Sequence, residues 1–209
     1  DGLRPWYDEE RFQIHFCFSC WHGEGQWRSG TLSEFGLYRT TLHNPANAVK
    51  LSSIGNMSTS LHYPLLYLED RELGKTWFFE ILTSGNWYME LGANEDGSLY
   101  VEMNGAWNGH DGWRKVLRPG ESYTTVPAIF GAVDGGVEEA IRERLQYHRS
   151  TSRTPDMLPP VCFNDFMNCL WAMPSREKLL PLIDAAADVG CEAFCIDDGW
   201  FLDGLGQWQ

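Results

Sequence analysis

The sequence lacks any apolar run near the roughly 18 residues that cross a bilayer, so no membrane-spanning helix is expected. Basic residues are scarce: 16 Lys and Arg stand against 29 Asp and Glu, for a formal net charge of -13. That average field repels polyanions, which argues against nucleic acid as a partner and leaves neutral ligands indifferent. Solubility is its plainest meaning. No period of about 20–50 residues recurs, so a repeat array is excluded. The opening residues hold no basic segment followed by an apolar one, so no leader is legible. The chain does not begin with Met and closes just after a glycine-rich stretch, and both ends read as cuts in a longer protein.

Cysteine is sparse as well, with six residues at 17, 20, 162, 169, 191 and 195. A chain of this size needs no disulfide staples, so buried free thiols in a reducing, cytoplasmic compartment are expected. The spacing His15-x-Cys17-x-x-Cys20-x-His22 superficially imitates a zinc set. It lies, however, in one extended run where alternate residues face opposite ways, and no second ligand pair follows. Neither a metal nor a cofactor is expected. Gly23-Glu24-Gly25 lacks the context of a phosphate loop, and the sequon Asn56-Met57-Ser58 is discounted because the thiols argue against secretion.

What the sequence has in abundance is aromatic side chains, 14% of the residues, including 10 Trp. Most pack cores, but aromatic faces also stack on the C–H faces of sugars. Two grammars divide the chain. Up to about residue 134, short alternating runs suggest strands: Ile14, Phe16 and Phe18 against Gln13, His15 and Cys17, then Leu99, Val101 and Met103 against Tyr100, Glu102 and Asn104. Thr76–Leu82 and the β-branched Ser122–Val126 add two more. Turn signals such as Ser84-Gly85-Asn86, Asp96-Gly97 and Pro119-Gly120 separate them, and the expected architecture is an antiparallel β-sandwich.

Residues 135–160 read as a connecting helix and linker. Val137, Ile141, Leu145 and His148 share one face, Glu138 and Arg142 stand four apart, and a Pro-rich stretch follows. Residues 161–209 read as β-α-β. Val161–Phe163 is a compact strand, Ser175 an N-cap, Gly190 a helix terminator, and Cys191–Ile196 a second strand. Pro181 should kink this helix or delay its start. Strand, crossover helix, strand is the unit of a parallel sheet, and two strands cannot bury both faces, so the domain is incomplete.

The second strand ends in Asp197-Asp198-Gly199-Trp200. Ligands sit at the carboxyl ends of parallel strands. Two carboxylates beside an indole suit a sugar, the oxygens accepting hydroxyl hydrogen bonds and the ring covering a C–H face. A metal site and a merely solvated loop fit the tetrapeptide too. Adjacent strand residues point apart, so the pair is poorly placed to flank one glycosidic bond, and a binding role suits it better.

Residues 159–209, through Phe163-Asn164-Asp165-Phe166-Met167-Asn168-Cys169-Leu170-Trp171, Glu177–Ala186 and Cys195-Ile196-Asp197-Asp198-Gly199-Trp200-Phe201, resemble the first two barrel strands of the family 36 (clan D) α-galactosidases. Gly74–Phe78, Ser84–Trp87 and Leu117–Ser122 are similar to that family's N-terminal β-supersandwich. The resemblance implies a β-rich fold, a supersandwich-like antiparallel β-sandwich followed by a truncated β-α-β start of a (β/α)8 barrel. It implies a retaining, exo-acting enzyme acting on small-molecule or oligosaccharide α-galactosides, with a homo-oligomeric parent.

By the same resemblance Asp197 and Asp198 bind hydroxyls of the terminal galactose and Trp200 lines the pocket. Phe166 stands where the family has a sugar-contacting Trp, with Trp171 as a substitute, and Gln207 stands where the family has a further Asp. Trp87 is a second candidate for the mouth of the site, although core packing explains it better. No catalytic residue is expected in the chain, since both catalytic Asp come from later strands, beyond Gln209. A non-catalytic carbohydrate-binding module, a galactosyl-transferring enzyme and an α-N-acetylgalactosaminidase remain alternatives.

Overall fold

The computed structural model describes residues 10–37, 48–55, 60–94, 97–152 and 160–200. These fall into two compact units divided after Ser152.

The first unit is built on two antiparallel sheets. One has the order β2-β1-β4-β5-β8, from Gln26–Thr31, Phe12–Phe18, His62–Asp70, Lys75–Ile81 and Ala128–Asp134. The other has the order β3-β6-β7, from Val49–Ser53, Trp87–Ala93 and Leu99–Asn104. Pro64 lies inside β4, and beside it the register on β1 slips between Phe16↔Leu66 and Phe18↔His62. A proline has no N–H to give the ladder, and a bulge accommodates that loss.

One apolar cluster joins the sheets. Phe12, Ile14, Phe16, Leu66, Leu68 and Ile81 come from the larger sheet, and Val49, Leu51, Trp87, Met89 and Leu91 from the smaller. Leu99, Val101 and Met103 pack against the same cluster, as their alternation suggests. Trp87 is 0% exposed at its centre, which settles it as a core residue. After β7 comes the one-turn helix α1, Asn108–Asp111. The opposite face of the larger sheet carries a second cluster, in which Leu65, Tyr67 and Phe78 meet Ala140 of helix α2, Val137–Thr151.

Ser122–Val126 is a correction. The segment is unpaired coil, and the strand begins only at Ala128. β-Branched residues favour strands because they fit a half-buried pleated surface, and 121–125 are exposed with no partner strand. The helix also differs in its contacts. Leu145 is exposed, whereas Arg144 and His148 turn toward the sheet and meet Glu80 on β5. Arg142 pairs with Glu139 rather than Glu138. At the start of α2, Glu139 reaches back to accept the Gly136 N–H at 3.2 Å.

In the second unit, β9 (Cys162–Asn164) and β10 (Ala193–Cys195) pair in parallel, with Phe163 and Phe194 stacked at 5.3 Å. Between them runs α3, Arg176–Asp188, preceded by Ser175. Pro181 neither delays its start nor interrupts it. Gly190, with φ +87°, follows the helix, and the N–H groups of Gly190 and Cys191 return to the carbonyls of Ala187 and Ala186. A five-residue π-turn, Phe166–Leu170, follows β9, an element that neither apolar periodicity nor a turn residue marks in the sequence.

None of the six cysteines is in a disulfide. Only Cys17 is buried, while Cys162 and Cys169 are exposed, so the expectation of buried thiols is corrected. β9 has no described neighbour but β10, and that leaves Cys162 open. Both ring nitrogens of His15 are engaged, Nδ1 with Ser29 Oγ at 2.8 Å and Nε2 with Glu69 Oε2 at 3.1 Å. Asn56 of the sequon lies outside the described residues.

Candidate functional site

Parallel pairing places the ends of β9 and β10 side by side. Asn164, the last residue of β9, is in register with Cys195, the last of β10. Beyond them the two chains stay tied together. The Asp165 N–H donates to the Cys195 carbonyl at 3.2 Å, and the Asp197 N–H donates to Asp165 Oδ1 at 2.9 Å. Asn164 Nδ2 donates to Asp197 Oδ2 at 2.6 Å, while its Oδ1 accepts the Phe166 N–H at 2.9 Å.

The π-turn then bends the first chain back. The Leu170 N–H donates to the Asp165 carbonyl and the Trp171 N–H to that of Phe166, each spanning five residues. Trp171, in the left-handed region at φ +47°, thereby returns to Phe166, with ring centroids 5.7 Å apart. Gly199 closes the arrangement. A Cβ at that position would lie 2.1 Å from the Ala172 carbonyl oxygen, and its φ of +93° is one that side chains avoid. The Asp198-Gly199-Trp200 loop can therefore lie directly on the backbone that carries Trp171.

Asp197, Asp198, Trp200, Phe166 and Trp171 thus gather at the carboxyl end of one parallel strand pair, whereas Trp87 is buried in the core of the first unit. Asp197, Trp171 and Trp200 are exposed, and Asp198 and Phe166 half-buried. Asp198 Oδ1 accepts the Gly199 N–H at 3.0 Å. Among the described residues neither Asp197 nor Asp198 has an ion-pair partner, which leaves carboxylate lone pairs for incoming hydroxyl donors. Anionic acceptors form the stronger hydrogen bonds with such donors, and the exposed indoles add apolar faces. Asn164 and Asp165 were not recognised as parts of the site. The available signal was positional: Asn164 ends β9 and Asp165 follows it, as Asp197-Asp198 follows β10. The Leu205–Trp208 stretch lies outside the described residues.

No family model matches the sequence. An α-galactosidase of Lactobacillus acidophilus is 25% identical over 185 residues, covering 82% of this chain and 25% of the relative. An α-galactosidase of Escherichia coli is 27% identical over 190 residues, covering 84% and 26%. The crystal structure of a GH36 α-galactosidase from Geobacillus stearothermophilus superimposes with a TM-score of 0.74 at 19% identity, over 95% of this chain and 27% of that one. Variants of that enzyme have been crystallised with stachyose and with raffinose. The structural likeness carries the fold and the sequence likeness the kinship. The chain is related to the GH36 α-galactosidases and spans about a quarter of their length.

Proposed function

We propose that the chain is part of a retaining, exo-acting α-galactosidase that releases terminal α-linked galactose from oligosaccharides. In this reading residues 1–134 form the family's β-supersandwich, 135–160 the connection, and 161–209 the start of the (β/α)8 barrel. The observation that carries it is the convergence of Asp197, Asp198, Trp200, Phe166 and Trp171 at the carboxyl ends of β9 and β10. Barrel enzymes hold their substrates at that end of the strands.

The chemistry divides accordingly. Asp197 and Asp198 accept hydroxyls of the galactose ring in the −1 subsite, and the Phe166–Trp171 pair and Trp200 cover its apolar face. The nucleophile and the acid/base come from later strands of the parent barrel. Two successive inversions at the anomeric carbon then give net retention. In the same reading the setting is reducing and cytoplasmic, which six cysteines without a disulfide support.

The test uses the full-length protein that carries this sequence. Proton NMR of the first sugar released from raffinose should show α-galactose, and Asp198→Ala should raise KM for p-nitrophenyl α-galactoside by about a hundredfold, the loss of a charged hydrogen bond. Release of β-galactose would refute retention. An unchanged KM in Asp198→Ala would remove the sugar-binding assignment.

A further inference from the structure

We propose that Asn164 and Asp165 are positioning residues that fix the Asp197 carboxylate against the sugar, an inference that rests on the sugar-binding reading of Asp197. Two independent bonds hold that one residue. Asn164 grips its carboxylate, and Asp165 grips its backbone N–H.

The Asn164 amide is itself oriented. Its oxygen is committed to the Phe166 N–H, so its NH2 must face Asp197 Oδ2. With one carboxylate oxygen held this way, the direction in which the other presents its lone pairs is set. Asp165 works from beneath. It is 1% exposed, and its own N–H continues the pairing to Cys195. One of its oxygens accepts the Asp197 N–H, while Oδ2 is buried without a hydrogen-bond partner among the described residues.

A buried carboxyl oxygen left unpaired costs free energy, and an apolar residue of similar size would avoid that cost. What such a residue could not supply is the acceptor for the Asp197 N–H. Binding groups need placement to within about 0.5 Å, and a shift of about 1 Å costs on the order of a hundredfold in rate. A two-point grip on backbone and side chain supplies that placement. The grip comes from the end of β9 and the residue after it, more than 30 residues upstream of Asp197.

The full-length protein tests this with p-nitrophenyl α-galactoside as substrate and galactose as competing ligand. Asn164 is exposed, so Asn164→Ala should fold normally and raise KM and the galactose inhibition constant about tenfold, with kcat much less affected. Asp165→Ala should do the same or more, and Asp165→Asn, which keeps an acceptor oxygen, should recover most of the loss. In an Asp197→Ala background Asn164→Ala should cost nothing further, because Asn164 acts through the Asp197 carboxylate. A crystal structure of Asn164→Ala should show the Asp197 carboxylate turned from its place. An unmoved Asp197, or an Asn164→Ala loss that adds to that of Asp197→Ala, would overturn the proposal. If Asp197 moves but Asp197→Ala itself leaves galactose affinity intact, the sugar-binding reading fails and removes the functional role assigned here.

Discussion

Replacing Arg144 by Ala should loosen helix α2 on the larger sheet and lower the stability of the first unit by about 3 kcal/mol. Arg144 Nε donates to Glu80 Oε2 at 2.8 Å and its terminal nitrogen to Oε1 at 3.1 Å, a bidentate pair reinforced by His148 Nε2 at 2.7 Å. The Glu80 side chain is only 9% exposed and that of Arg144 19%, so removing the guanidinium strands a carboxylate away from water. Breaking such a pair costs about 3–5 kcal/mol. The lower end applies because His148 stays beside Glu80. With a urea m-value of about 2 kcal/mol/M, the midpoint should fall by about 1.5 M at unchanged m. Near-UV circular dichroism of the buried Trp87 follows this unit. The exposed Lys75–Asp134 pair is the control: Lys75→Ala should cost about 1 kcal/mol or less. Changing Glu80 and Arg144 together to Met and Leu should recover most of the loss, since two apolar residues leave no stranded charge. An Arg144→Ala midpoint no lower than that of Lys75→Ala would refute the argument.

Asp70 is fully buried and held by Arg11 and by the N–H groups of Glu72 and Leu73. Burial pushes its carboxyl up, but these bonds outweigh it and leave the carboxyl below its usual value. A depressed carboxyl contributes stability above its unfolded pKa of about 3.9 and loses it as pH falls through the folded value, so Arg11→Ala should flatten the acid limb of a stability–pH curve. In His15 and His62 burial is the largest cause and lowers both imidazoles. The unfolded chain then takes up protons first, and stability should decline as pH drops below about 6.5, less so in His62→Phe. The Glu90 hydrogen bond, ahead of burial, pushes the Tyr100 phenol up to about 12. Glu90→Gln should bring its tyrosinate absorbance transition back toward about 10. Gly199→Ala, which drives a methyl into the Ala172 backbone, should displace the Asp197–Trp200 loop and weaken galactose binding at least about tenfold. Isothermal titration of the full-length protein would expose an unperturbed loop as unchanged affinity.

Local signals in the second unit were legible because each is complete within a few residues. Ser175 precedes its helix, Gly190 ends it in a left-handed turn, and Asp197-Asp198 follow a short apolar strand. The strands of residues 13–18 and 99–104 were equally plain from their alternation. The strand His62–Asp70 was not. Leu65 and Tyr67 face the helix while Leu66 and Leu68 face the other sheet, so no alternation marks it. Ser122–Val126 had the composition of a strand but no partner, because pairing depends on residues far away in the chain. The same holds at the site. Sequence alone named the aspartates and the aromatic residues. Only the parallel register of β9 and β10, the π-turn and the missing side chain at Gly199 decided that Asn164 and Asp165 would hold Asp197 and that Trp171 would return beside Phe166. Periodicity and propensity are properties of neighbours along the chain, whereas a binding site is made of neighbours across it.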